Sequence, residues 1–515
     1  MRLLGIDLGT GSVKLVTLDP DGVERAVASE PYALSSPQPG WAEIAPDAWW
    51  DALVRAAARL PADERAQVAA IGFSGQMHGV VLIDAAGRAV RPALLWPDTR
   101  AARFAGAADW PDAPNPVAPG MAGPLLRWVA ASEPAALRAA RWAVQPKDWL
   151  RIALGGDVAA DPSDACATAL ATPDGAWDDA RLDALGLPRA LFAPVRASTA
   201  PCGVLAAQAA AALGLPAGVP LATGAADTAC AALGSGLVAD GDALLTTGSG
   251  GQIVVLADRL PAARRGLHRY RAAAGGGYYA MAAMQNVGLA LEAVRGWLGY
   301  ASWPAAYDDA FAQPAPERLS FLPYLTGERS PWMNPDARGG WLGLGLGDTR
   351  GAMMRAAFEG VAFALRAGLD AIRGDLSVGE HAWVGPASDD PAGATPGRGL
   401  DVGVSAPAER GSGAYAPVAS LRLAGGGSVD PRWRQLLADA LGASLDAVDC
   451  PNAATRGAAL LAGVAIGHWR EDALRALAPA ASPVAAPCGD RALAARHARF
   501  VDLYERTAAW FTLDV

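Results

Sequence analysis

Short apolar runs broken by glycine-rich turns open both halves of the chain. Residues 3–7 and 13–18 flank Leu8-Gly9-Thr10-Gly11-Ser12, and the apolar residues of 242–255 flank Thr247-Gly248-Ser249-Gly250-Gly251. Apolar runs on either side of a tight turn predict β-hairpins. Glycine in such turns lets backbone N–H groups approach a ligand closely, most often an anion. Two copies of one pattern, each opening a long α/β stretch, predict a duplicated domain with one phosphate loop per half.

Between and after the hairpins the pattern alternates. A helix is expected over 47–60, then a buried strand over 68–73 that empties into Ser74-Gly75-Gln76-Met77-His78-Gly79, then strands over 80–83 and 91–96. Helices follow over 121–129, 147–154, 177–185 and 288–298. Asp161-Pro162-Ser163-Asp164 reads as a polar turn with no assigned role. Thr349 caps a long helix whose apolar residues Met354, Phe358, Val361, Leu365, Leu369 and Ile372 recur at helical spacing until Gly374. Residues 385–417, rich in Pro, Gly, Ala, Ser and Asp, read as a solvated insertion. A strand at 421–424 then leads through Gly425-Gly426-Gly427 to a helix capped by Asp430, opened by Pro431 and closed by Gly442. A last helix is expected over 455–467. The expected division is 1–238, 239–490 and a C-terminal helical segment, 491–515.

Four places carry candidate chemistry. Asp7 ends the first strand beside the Gly9-Thr10-Gly11-Ser12 turn, where a carboxylate can hold Mg²⁺; Gly-x-Asp-x-Gly-Thr in this setting favours that role over a turn aspartate. Asp227 follows the small residues Gly224-Ala225-Ala226, so a bulky substrate can reach it. It reads as a base for phosphoryl transfer or, more plainly, as a helix N-cap. Gln76 and His78, exposed by flanking glycines at the carboxyl end of a strand, suit sugar hydroxyls. Asp98 is equally a sugar contact and a cap. The loop 321–331 holds the sequence Glu328-Arg329 and reads equally as an active-site cover and as an ion-paired brace. Gly425, Gly426 and Gly427, between a strand and a helix N-terminus, form a surface for a base or a phosphate.

Composition narrows the classes. The chain has 515 residues, enough for two or more domains, with a net charge of -9 and a pI near 5.2. No basic footprint for nucleic acid or anionic lipid is present. Lys14 and Lys147 are the only lysines, so no Gly-x-x-x-x-Gly-Lys-Ser/Thr loop exists. Five scattered cysteines give neither a disulfide framework nor a zinc site and fit a reducing cytoplasm. The N-terminus lacks a signal-peptide pattern, and the uncharged stretch 197–226 is broken by Pro201, Pro216 and Pro220.

Taken together these pieces resemble the FGGY carbohydrate kinases of the actin and hexokinase superfamily. The resemblance rests on Gly5 to Thr10, Gly40-Trp41-Ala42-Glu43, Ser74 to Gly79, Leu95 to Arg100, Asp227, Gly248 to Gly251, the 321–331 loop, 340–360 and Gly425 to Gly427. The tetrapeptide Gln76-Met77-His78-Gly79 is most like the family's xylulokinases.

The resemblance implies an α/β fold of two ribonuclease-H-like domains around a central cleft, with ATP mainly on the second and sugar on the first. It implies an ATP-dependent kinase for D-xylulose, Asp227 as the catalytic base and Asp7 as the Mg²⁺-linked carboxylate. Gln76, Met77, His78 and Asp98 would join Asp227 around the sugar. Gly9, Thr10, Gly11, Ser12, Gly248, Ser249 and Gly425 to Gly427 would take the nucleotide. Sugar and ATP are the expected partners, with no nucleic acid or membrane; a homodimer is left open. Alternatives are a kinase for another ketose or polyol, such as ribulose or glycerol, and a non-catalytic sensor on the same fold. The chain departs from the family at Thr228 and Pro97, where asparagine is usual, and at Ser249-Gly250, where Thr-Ser is commoner.

Overall fold

A computed structural model of the protein describes residues 1–264, 266–376 and 418–512; the expected insertion at 385–417 lies outside the described residues. The first half is built on strands β1 (Arg2–Leu8), β2 (Ser12–Leu18), β3 (Glu24–Pro31), β4 (Val68–Gly75), β5 (Pro201–Val204), β6 (Pro220–Ala222) and β7 (Ala225–Ala226). They form one sheet in the order β3-β2-β1-β4-β6-β5, with β7 also pairing with β4. The second half uses β8 (Ala243–Thr247), β9 (Gly251–Ala257), β10 (His268–Arg271), β11 (Tyr278–Met284), β12 (Ser420–Ala424), β13 (Ser444–Val448) and β14 (Ala481–Ala485). Their order is β10-β11-β9-β8-β12-β13-β14.

The two sheets repeat one plan. A three-stranded antiparallel meander (β1-β2-β3, and β8-β9-β11) is extended from its first strand by two parallel strands (β4 and β6, and β12 and β13). An antiparallel edge strand, β5 or β14, ends each sheet. The two glycine turns of the sequence are the first hairpin of each meander. The strand β11 carried no strand signal: all seven of its residues are buried, so its two faces do not alternate.

Helices clothe both sheets. The expected 47–60 helix is α1 (Pro46–Arg59), and its buried Trp49, Ala52, Leu53 and Ala56 join the first core with Leu4, Ile6, Ile71 and Phe73. Next come α2 (Pro146–Ala153), the single turn α3 (Pro162–Ala165) and α4 (Asp227–Gly234). In the second half are α5 (Gly288–Trp297), α6 (Arg350–Arg373), α7 (Pro431–Leu441), α8 (Ala453–Ala465) and α9 (Arg491–Ala508). The apolar stripe predicted for α6 is its buried face; Thr349 caps it and Gly374 closes it at positive φ. The strand expected over 91–96 shrinks to Ala93–Leu94. Among the described residues no helix is long and apolar enough to cross a membrane, and all five cysteines are free.

A third core joins the halves, with Leu3, Ala70 and Ala225 on one side, Leu244, Val254 and Tyr279 on the other, and Ala458 to Ala462 of α8 between. Helix α8 lies so close to the first sheet that a Cβ on Gly72 would stand 1.8 Å from the Ala458 carbonyl oxygen; one on Gly5 would stand 1.9 Å from that of Thr455. Helix α8 meets α4 equally closely: a Cβ on Gly457 would stand 2.0 Å from Cys230 O. Backbone on backbone cannot yield as a side-chain tip can. Gly72→Ala is therefore expected to destabilise the protein by about 3 kcal/mol, the upper end of ordinary overpacking. Chemical denaturation checks this, and an unchanged midpoint would show that α8 is not seated at this distance.

Candidate active site

The parallel register of the first sheet brings the candidate carboxylates to one edge. Asp7 stands opposite Ser74, Ser74 opposite Ala225, and Gly75 opposite Ala226, so α4 starts with Asp227 one step beyond the ends of β1 and β4. Asp227 is the first residue of α4, and the cap position belongs to Ala226; the N-cap reading is thus replaced. Its Oδ1 accepts the Thr228 amide at 2.6 Å and the Thr228 hydroxyl at 3.3 Å. Its Oδ2 has no hydrogen-bond partner among the described residues. Burial pushes the Asp227 carboxyl up to about 7, with the negative charge of Asp7 adding to the shift and the Thr228 bonds opposing it. Asp7 is also raised by burial, against a 2.6 Å hydrogen bond from Ser74 Oγ to its Oδ1.

The first glycine turn is fastened from three sides. Gly9 N donates to Ser12 O at 3.0 Å, and Gly9 O accepts from Gln76 Nε2 at 3.1 Å and from the Tyr32 hydroxyl. The Thr10 hydroxyl accepts from Trp96 Nε1 at 2.8 Å. Gln76, expected at the sugar, is buried with its amide nitrogen committed to this turn, while its Oε1 has no partner. The second turn is fastened similarly. Gly248 N donates to Gly250 O at 2.8 Å, Gly248 O accepts from Gly288 N at 2.9 Å, and Ser249 O accepts from Leu289 N at 2.9 Å. The amides of Thr10 and Gly11, and of Ser249 and Gly250, make no hydrogen bond among the described residues. Each turn thus presents two free N–H groups, which is what an anion needs where lysine is scarce.

The third glycine stretch lies beside the second turn because β12 runs parallel to β8 with Thr246 opposite Ala424. Gly425 has φ of 93°, and a Cβ there would stand 2.2 Å from Thr247 O. Gly427 N donates to Thr247 O at 3.3 Å, and the Thr247 and Ser428 hydroxyls bond at 2.9 Å. Gly426 has open space where a side chain would stand. The Asp430 carboxylate already accepts the Arg432 amide at the N-terminus of α7 and pairs with the Arg432 guanidinium at 2.8 Å. A second anion is thus disfavoured there, and Gly426 offers a flat surface suited to a base.

Of the residues expected at a sugar, Met77 is buried and His78 takes the left-handed conformation, φ 76°, rare outside glycine. Its Nδ1 lies 2.7 Å from Ala167 O. A carbonyl only accepts, so Nδ1 carries the proton and neutral His78 presents Nε2 as an acceptor. Burial holds the imidazole below its ordinary value, aided by the positive charge of Arg329. Asp98 is fully buried and engaged: Oδ2 accepts the Ala42 amide at 2.7 Å, and both oxygens accept Arg100 Nε at 2.9 Å. Arg100 lies over the Trp41 ring at 3.6 Å. The capping alternative for Asp98 is not met either: the short helix that follows, Ala102–Phe104, has Ala101 at its cap position with no side-chain bond, and Asp98 Oδ1 accepts the Arg100 amide at 2.9 Å.

Sequence reasoning missed a buried charge cluster directly behind Asp227. Lys147 Nζ lies 2.7 Å from Asp148, 2.8 Å from Asp161 and 3.1 Å from Asp164, all wholly buried. Arg151 joins through Asp148 at 2.7 Å. Asp161 Oδ2 accepts the Ser163 hydroxyl at 2.5 Å, and Ser163 Oγ accepts the Ala226 amide at 2.9 Å. The polar turn 161–164 is therefore the capped single turn α3, which fixes the backbone one residue before Asp227. Its one signal in the sequence was that Lys147 is one of two lysines.

Comparison with known proteins gives the family of the chain. The family model described as the FGGY family of carbohydrate kinases matches with its N-terminal domain over residues 2–234 and its C-terminal domain over 254–466. A xylulose kinase of Escherichia coli (strain K12) is 33% identical over 455 residues, covering 86% of this chain and 85% of that protein. A xylulose kinase of Klebsiella pneumoniae is 34% identical over 383 residues, covering 72% of this chain and 78% of that protein. The crystal structure of a xyloylose kinase from Brucella ovis superposes with a TM-score of 0.85 at 28% identity, over 99% of this chain and 100% of that one.

Proposed function

Because the chain belongs to the FGGY family of carbohydrate kinases, and is therefore an ATP-dependent sugar kinase, we propose that it converts D-xylulose to D-xylulose 5-phosphate with Asp227 as the general base. The observation that carries this reading is the Asp227 carboxylate itself: desolvated, tied through one oxygen to Thr228 and open at the other. The open Oδ2 takes the proton of the sugar hydroxyl as the γ-phosphoryl arrives. The free amides of the two glycine turns draw the phosphates into line, and Gly425 to Gly427 border the base. Met77 and the Nε2 of His78 border the sugar. Closure of the two halves excludes water, the competing acceptor.

Asp7 fits a divalent cation, since its Oδ1 is held by Ser74 and its other oxygen has no hydrogen-bond partner among the described residues. No cluster of three or more His, Cys, Asp or Glu is present among the described residues. A single carboxylate completed by phosphate and water is how Mg²⁺ commonly binds in kinases. When bound, Mg²⁺ offsets phosphate charge.

The substrate is tested by coupled ADP release with D-xylulose, D-ribulose and glycerol as separate acceptors. D-xylulose is expected to give the highest kcat/KM. A preference for glycerol or ribulose overturns the assignment of the sugar and leaves the kinase reading in place.

A further inference from the structure

The loop 321–331 holds a charge that the mechanism above leaves unused. Glu328 and Arg329 are neighbours in sequence and do not form an ion pair. The Glu328 carboxylate is buried and accepts the amides of Gln285 at 2.7 Å and Arg329 at 2.8 Å, with Asn286 Nδ2 at 3.3 Å. Asn286 Nδ2 also donates to Gly327 O at 2.6 Å. Beyond the arginine, Ser330 N donates to Ala283 O at 3.0 Å and Ser330 Oγ to Gly266 O at 2.6 Å. The backbone on both sides of Arg329 is thus fixed. Arg329 is exposed as a residue, yet burial of its guanidinium lowers its pKa against the charge of Glu328, and the group makes no hydrogen bond and no ion pair among the described residues.

The surroundings of that guanidinium lead to the sugar side. Ser330 is anchored two residues from His268, whose Nδ1 lies 3.0 Å from the Tyr270 hydroxyl and whose ring stacks on Tyr270 at 5.7 Å. Tyr270 in turn lies 6.3 Å from the His78 ring. Three successive rings, His268, Tyr270 and His78, therefore lead from the strand that the loop is anchored beside to His78. The charge of Arg329 is felt at both imidazoles, after burial, as a downward push. The charged neighbour that acts on Asp227 is instead Asp7. The Arg329 charge thus acts on His78 and not on the carboxyl of the candidate base.

We propose that Arg329 is a sugar-binding and specificity-determining residue, reaching from the second half to donate hydrogen bonds to acceptor oxygens at the end of the sugar remote from Asp227. The proposal rests on the reading that the acceptor lies between His78 and Asp227. The two groups are complementary: His78 Nε2 only accepts while neutral, and a guanidinium only donates. A polyhydroxyl chain satisfies both. The same loop braces the second glycine turn, since Asn286 precedes Val287, whose amide donates to Ser249 O at 3.2 Å. The loop is thus joined to the second glycine turn through Gln285 and Asn286.

The test compares wild type with Arg329→Gln and Arg329→Lys, by calorimetric binding of D-xylulose and by steady-state kinetics with sugar and ATP varied separately. Loss of a charged hydrogen bond is expected to raise Kd and KM for the sugar about ten- to a hundredfold in Arg329→Gln. KM for ATP is expected to move less than about twofold, kcat to be the smaller change, and lysine to recover part of the affinity. Unchanged sugar Kd and KM in both variants overturns the proposal. A wild-type chain that binds D-xylulose but does not turn it over fails the kinase assignment of the preceding section, and the binding comparison still decides this one. A wild-type chain that binds no ketose overturns both.

Discussion

Asp227→Asn is expected to lose turnover by about 10²–10⁴-fold, the usual contribution of a positioned general base, while nucleotide affinity stays close to wild type. The amide keeps the size of the side chain and its bonds to Thr228, so the change removes the proton acceptor and little else. The pH profile supplies an independent check. A base must be ionised to act, and burial with the nearby Asp7 charge pushes this carboxyl up to about 7. kcat/KM for the sugar should therefore rise with pH through about 7 and fall nearly tenfold per unit below it, where an ordinary carboxylate would give a flat profile down to about pH 4. Asp227→Asn should lack this limb. A variant with near wild-type turnover, or a wild-type profile flat between pH 5 and pH 8, would remove Asp227 from the role.

Lys147→Met should cost about 3–5 kcal/mol, the range for breaking a buried ion pair by removing one partner. Two cations, Lys147 and Arg151, face three carboxylates, and all five side chains are wholly buried. Burial works against the ammonium, but the charges of Asp148, Asp161 and Asp164 outweigh it, and its pKa is raised. Burial also drives Asp164 well above the usual carboxylate range, although Lys147 pulls it down, and the neighbouring aspartates push it further. The surroundings of Asp164 therefore favour its protonated form. It follows that Asp164→Asn, which resembles the protonated acid, should shift the thermal midpoint far less than Lys147→Met. Equal losses from the two variants would contradict this distribution of charge. Lys147→Met should also slow turnover, because Asp161 and Ser163 hold the Ala226 amide beside the base.

Some features of the molecule are written locally. The two glycine turns, the cap of α6 at Thr349, the Asp430 and Gly442 ends of α7, and the place of Asp227 directly after small residues all depend on neighbours within a few positions. Backbone sterics and short-range hydrogen bonds fix them, so the sequence displays them directly. The duplication was legible for the same reason: each half repeats a hairpin that must turn on glycine.

Other features depend on which distant segment arrives opposite. Gln76 looked like a ligand to a sugar, and its amide nitrogen donates to Gly9 of the first turn, 67 positions away. Glu328 and Arg329 looked like a pair, yet Glu328 turns to backbone amides and leaves the guanidinium free. Residues 161–164 looked like an idle turn and join the buried cluster behind the base. By itself the sequence determined the fold class, the two glycine turns and the identity of the candidate base. Only the tertiary structure decided which polar groups meet, how far the Asp227 carboxyl is desolvated, and where Arg329 is left unpaired. Periodicity records that a residue is buried; burial acquires chemical meaning only when long-range packing selects its neighbours.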